Sequence, residues 1–209
     1  MRAFLLPALR ATLATWLLCG IVYPLAVTGL GQWLLPDQAN GSLVYAGDGA
    51  ILGSRLIGQD WTGSRWFHGR PSATTTANPT DSTKTISAPY NAAASGGSNL
   101  GPTSRSLSER LAADRKTAEA EEPQLTGRKL PADMLTTSGS GLDPDISPAY
   151  AALQTPRVAA ALEMPIDQVE AVVAKNTTGR ALGVFGEPRV NVLRVNLDLQ
   201  AASARSSWR

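Results

Sequence analysis

The sequence predicts an α+β fold with one N-terminal transmembrane helix followed by a single small extracytoplasmic domain. Three observations carry this. No charged side chain occurs from Ala11 to Pro36. Arginines precede that stretch and acidic residues follow it. Beyond residue 40, runs with helical period share the chain with short strand-like runs, so helices and strands contribute to one domain.

The span is placed at 11–35, after a short cytoplasmic tail at 1–10. A helix rises about 1.5 Å per residue, so this stretch covers ~38 Å, and a bilayer core is roughly 30 Å thick. It is longer than the apolar region of a signal peptide, roughly 7–15 residues, and no good small-x-small site follows, so a retained span is expected. Pro24 removes a donor near the middle and predicts a kink. Trp33 suits the headgroup layer. Arg2, Arg10 and the α-amino group lie before the span, whereas Asp37 and Asp48 lie after it. Positive residues stay inside, so the amino end is cytoplasmic and the 40–209 domain lies outside.

Composition agrees with a chain partly in lipid. Of 209 residues, 43% are hydrophobic and only 17% charged, with a net charge of +2. No basic field points to nucleic acid. The single cysteine excludes an internal disulfide and a cysteine metal cluster, and the single histidine, His68, leaves most hydrolase triads unbuildable.

In chain order, "LVYAGDGAILGSRLIG" (Leu43 to Gly58) reads as two strands around Gly47-Asp48-Gly49, because Asp-Gly supplies the positive φ of a tight hairpin. Residues 62–106 form a long polar loop, rich in Ser, Thr, Asn, Gly and Pro, that cannot build a core by itself. Ser104 to Glu122 is a helix with Leu107 and Leu111 inward, ended by Pro123. Ser147 caps a second helix that has Pro148 in its first turn. Its pattern continues past Pro156. Pro165 to Thr177 is a third, carrying Ile166, Val169, Val172 and Val173 on one face. "PRVNVLRVNLDLQ" alternates, with Leu193, Val195, Leu197 and Leu199 to one side, and is expected to be a half-buried strand.

Two stretches resemble chemical motifs and miss. "GGSNLGPT" has phosphate-loop glycines, but Pro102 stands where a lysine is needed, and no apolar strand precedes it. A glycine-rich turn is the default. Replacing Gly96 and Gly97 with alanine is expected to perturb that turn if their φ angles are positive. Asp143, Asp145 and Ser147 have calcium-loop spacing, but Pro148 and Gln154 occupy the glycine and glutamate positions. A turn plus a helix cap is expected there. No carboxylate near His68 in sequence orients it for catalysis. These features describe a subunit without a self-sufficient active site.

"LIGQDW", "WFHGRPSA", "YNAAASGGSNLGP", "SGSGLDPDISP", "QTPRVA" and "GEPRVNVLRVNLDL", in this order, resemble the KdpC family, which belongs to the bacterial potassium-transporting P-type ATPase (Kdp complex). The resemblance implies a non-catalytic accessory subunit of a high-affinity, ATP-driven potassium uptake complex in the bacterial inner membrane. It implies three partners: a channel-like potassium-binding subunit, a P-type ATP-hydrolysing subunit and a small single-span subunit. It further implies a catalytic chaperone that raises the hydrolysing subunit's affinity for ATP. Ser95, Gly96, Gly97 and Ser98 look like an ABC-transporter signature loop, and Gln154 matches a glutamine attributed to nucleotide contact. Flanking charge, in contrast, places these residues outside, whereas ATP is cytoplasmic. The alternative is a periplasmic cap on the channel-like subunit that shapes potassium access without nucleotide.

Overall fold

The structure, a computed structural model, describes residues 2–206. Met1, whose amino group enters the charge argument, and residues 207–209 at the end of the expected domain lie outside the described residues. The chain divides into two compact units, Met1–Ser54 and Arg55–Arg209. The division falls after Ser54.

The first unit opens with α1 (Arg2–Leu17), a π-helical turn (Leu18–Val22) and α2 (Tyr23–Leu34). The stretch Phe4–Leu34 is long and apolar enough to cross a membrane. Its side chains, from Phe4 through Trp16 to Trp33, are exposed around the helix, as lipid as solvent requires. Pro24 explains the π turn. It has no N–H to give, and just ahead of it the ladder widens, with the Tyr23 N–H donating to Leu18 O. A short helix, α3 (Pro36–Ala39), follows. The expected hairpin is present: β1 (Leu43–Tyr45) pairs antiparallel with β2 (Ile51–Ser54). Asp48 accepts the Ala50 N–H at 3.0 Å, and Gly49 takes φ +84.

The second unit begins with chain that the sequence leaves as a loop. Within 62–106 the structure instead forms a hairpin, β3 (Thr75–Asn78) with β4 (Asp81–Ser87). Threonine-rich chain suits a pleated ribbon, and Asn78 turns it by accepting the Thr80 N–H at 2.9 Å. Buried Thr74 fixes the base, its hydroxyl donating to Ala88 O at 2.6 Å. Helix α4 (Arg105–Glu121) starts at Ser104, which accepts the Leu107 N–H at 3.4 Å. Leu107 and Leu111 on it are half-buried. After it come a short helix, α5 (Ala132–Leu135), and strand β5 (Asp145–Ile146).

The core lies among α6 (Pro148–Leu162), α7 (Ile166–Lys175), a sheet and the last helix. Ser147 caps α6 by accepting the Tyr150 N–H at 3.0 Å. The helix runs through Pro156, which withholds only the one donor owed to the preceding turn. On α7, Val169 is fully buried, while Ile166 stays half exposed. Strands β6 (Thr177–Thr178) and β7 (Arg189–Asn191) complete a three-stranded antiparallel sheet in the order β5-β7-β6.

The expected C-terminal strand is corrected. Only Arg189–Asn191 is strand, and Val192–Ser206 is a helix, α8. Val192, Leu193, Val195, Asn196 and Leu199 are buried, which is helical spacing. Alternation placed Leu197 inside and Asn196 outside. The structure leaves Leu197 half-buried and buries Asn196 completely. Asn191 starts the helix by accepting the Arg194 N–H at 3.2 Å.

Asp198 ties α8 to the end of α7, accepting from Lys175 Nζ and Asn176 Nδ2, each at 2.9 Å. Burial alone raises its pKa, but the hydrogen bonds from Asn176 and Lys175 outweigh that and hold it below the ordinary value. A carboxylate with a depressed folded pKa contributes stability above its unfolded pKa and loses it as pH falls through the folded value. We expect Asp198→Asn to destabilise the chain at pH 7. The difference from wild type should shrink at pH values below about 4, as urea melts across that range will show.

Candidate functional site

The residues that the family resemblance singles out fall into two separate constructions. The first centres on Phe67 and His68, two residues of extended chain between α6 and α8. Successive peptide groups of an extended chain point to opposite sides. On one side, Asn196 of α8 accepts the Phe67 N–H at 2.8 Å and donates to Phe67 O at 2.9 Å. On the other, Gln154 of α6 accepts the His68 N–H at 2.8 Å and donates to His68 O at 3.1 Å. Each side-chain amide thus supplies one rung of a β-ladder, from a helix. Asn196 is 0% exposed and Gln154 2%, so these rungs hold the segment where water cannot.

Arg157, one turn beyond Gln154, locks the arrangement. Its Nε pairs with Glu122 at 2.8 Å, and the other two nitrogens donate to Ser64 O at 2.7 Å and to Gln154 Oε1 at 2.7 Å. His68 Nε2 lies 2.8 Å from Gly63 O. A cleft of about 250 Å³ opens beside them, lined by His68, Asp114, Glu122, Tyr150, Gln154 and Arg157.

The second construction is the glycine-rich loop. The Gly96 N–H and the Ser95 hydroxyl both donate to Ser140 O, at 2.8 and 3.0 Å. Thr137 Oγ1 lies 3.5 Å from Ser98 Oγ. A Cβ on Gly97 would lie 2.9 Å from Gly139 O, whereas one on Gly96 would meet nothing within 4 Å. Neither Gly96 nor Gly97 has positive φ, so the reason to need glycine is close approach at 97, not a left-handed turn. Across the contact, Gly141 does have φ +67, and Ser72 donates to its carbonyl at 2.7 Å. Ser95 to Ser98 therefore pack on 137–141, while Gln154 packs on His68 and Arg157. No hydrogen bond among the described residues joins the two sets.

The calcium-like spacing resolves into ion pairs and a cap. Asp143 pairs with Arg70 at 3.0 Å, Asp145 with Arg189 at 3.0 Å, and Ser147 caps α6 while bonding Asp133. Tyr90 seals this region. Its hydroxyl donates to Arg70 O at 2.6 Å, and burial, with Tyr150 and the Asp143 and Asp60 charges adding to it, pushes its pKa well above the ordinary tyrosine value. The sequence reading did not find Asn196, Arg157 or Tyr90. A lone asparagine inside the apolar run of α8 was the available signal.

A family model described as "K+-transporting ATPase, c chain" matches residues 5–201. The potassium-transporting ATPase KdpC subunit of Methylobacterium nodulans is 55% identical over 95% of this chain and 97% of its own length. The KdpC subunit of Bradyrhizobium diazoefficiens is 54% identical over the same shares. That of Methylorubrum extorquens is 55% identical over 92% of this chain and 94% of its own. On this likeness over nearly its full length, the chain belongs to the KdpC family of potassium-transporting ATPase subunits.

Proposed function

We propose that this chain is a non-catalytic accessory subunit of an ATP-driven potassium uptake pump, held in the bacterial inner membrane by the helix Phe4–Leu34. Its partners are the channel-like potassium-binding subunit, the ATP-hydrolysing subunit and the small single-span subunit. Its 55–209 unit works outside the cytoplasm as a cap on the channel-like subunit, shaping potassium access. The observation that carries this reading is the state of the motif residues. Both amide atoms of Gln154, the Ser95 hydroxyl and the Gly96 N–H are engaged within the chain, where they brace the 55–209 unit. The charges flanking the helix support the outside location.

The second reading is the catalytic chaperone, in which Ser95, Gly96, Gly97, Ser98 and Gln154 contact ATP shared with the hydrolysing subunit. The cleft beside Gln154 and Arg157 favours it. Gly96→Ala separates the two, because a methyl there meets nothing within 4 Å in the chain itself. The cap reading predicts an assembled pump whose ATP KM is unchanged. A severalfold rise in KM with assembly intact would instead favour nucleotide contact at this loop. Failure of the chain to co-purify with the hydrolysing and channel-like subunits would overturn the subunit reading altogether.

A further inference from the structure

The turn between β6 and β7 displays its large apolar side chains to solvent. Leu182 is 90% exposed, Val184 71% and Phe185 65%. The turn is nevertheless firmly built. The Ala181 N–H donates to Phe185 O at 2.8 Å, and the Phe185 N–H returns to Ala181 O at 2.9 Å. Arg180 holds both carboxylate oxygens of Glu187, at 3.1 and 2.8 Å. Leu182 has φ +53, a left-handed conformation that costs a leucine about 1 kcal/mol. The free chain thus keeps an apolar side chain wet on backbone that disfavours it. Rigid, strained and apolar exposure of this kind marks a contact site.

The chemistry around the turn selects the occupant. Arg180, Arg189 and Arg194 flank it in sequence; Glu187 pairs with Arg180 and Asp145 with Arg189, so the surplus positive charge is that of Arg194. The side chains of Arg180 and Arg189 are 46% and 55% exposed, and Arg194 is exposed as well. An apolar tip whose base carries exposed arginines, two of them ion-paired and one in excess, matches the boundary between lipid acyl chains and anionic headgroups. A bilayer is also within reach, because only residues 35–54 separate the apolar helix from the unit that carries the turn. We infer that the Leu182–Phe185 turn is a second membrane contact, dipping into the headgroup–acyl boundary of the bilayer that holds Phe4–Leu34. This rests on the anchoring part of the proposed function.

The test uses the full chain with Cys19→Ser and Leu182→Cys, labelled at 182 with an environment-sensitive dye. It is placed in nanodiscs of phosphatidylethanolamine and phosphatidylglycerol. We expect blue-shifted emission, and quenching by shallow spin-labelled lipids that is stronger than for the same dye at exposed Thr83. Adding Phe185→Asp should abolish both, with Val184→Ser as the milder variant if the first does not fold. Aqueous, lipid-insensitive emission at 182 overturns the inference. Shielding that appears only when the other pump subunits are added, without lipid quenching, also overturns it and assigns the turn to a protein. The chain alone gives this readout, so co-purification with the pump tests the proposed function separately.

Discussion

Asn196→Leu is expected to be among the most destabilising single substitutions in the chain, at about 3 kcal/mol. Leucine is similar in size, so no large cavity explains the loss. It removes the partner of both Phe67 backbone groups, which then have neither water nor protein to bond. An orphaned buried donor or acceptor costs roughly 1–3 kcal/mol, and two are created together. For a chain of this length that is a fall in Tm of about 6–12 °C. Gln200→Ala, at an exposed position on the same helix, should move Tm little. Thermal melts of the two variants in the same detergent make the comparison. Equal melting would show that the Phe67 rung is dispensable.

Gly141→Ala should cost a similar amount by a different route, roughly 3 kcal/mol. Its backbone sits at φ +67, where alanine is strained. The added Cβ would lie 2.5 Å from Thr74 Cγ2 and 2.7 Å from Gly96 O. Thr74 is buried and hydrogen-bonded, and Gly96 O is backbone, so neither yields cheaply. The least costly relief is separation of the 95–98 loop from 138–141. We expect a lower Tm and faster proteolysis within 95–101, while Gly96→Ala leaves both unchanged. Unchanged proteolysis in Gly141→Ala would mean that the two loops do not depend on each other.

These two positions show what the sequence made legible and what it hid. Caps, prolines and length placed the apolar helix, α4, α6 and α7, because each signal acts within one or two turns of chain. The Asp-Gly turn placed β1 and β2 for the same reason. Helix α8 was misread because Leu193, Val195, Leu197 and Leu199 satisfy alternation as well as helical spacing. Asn191 as a cap, and the length of the run, were the clues against a strand. The roles of Asn196 and Gln154 were hidden for a different reason. Their partners lie 129 and 86 residues away, and nothing local says which backbone a helical amide will meet. The glycine-rich loop was noticed for its spacing. Its physical demand is the close approach of Gly97 to Gly139, which becomes visible only with both loops in place.

The location proposed for the 55–209 unit, outside the cytoplasm, is open to a direct accessibility measurement. A cysteine at exposed Ser95, in a Cys19→Ser chain assembled with its partners, is offered a membrane-impermeant maleimide in intact spheroplasts. An outside location gives labelling without permeabilisation. Labelling that appears only after the membrane is opened would contradict it and place the loop on the side where ATP is found.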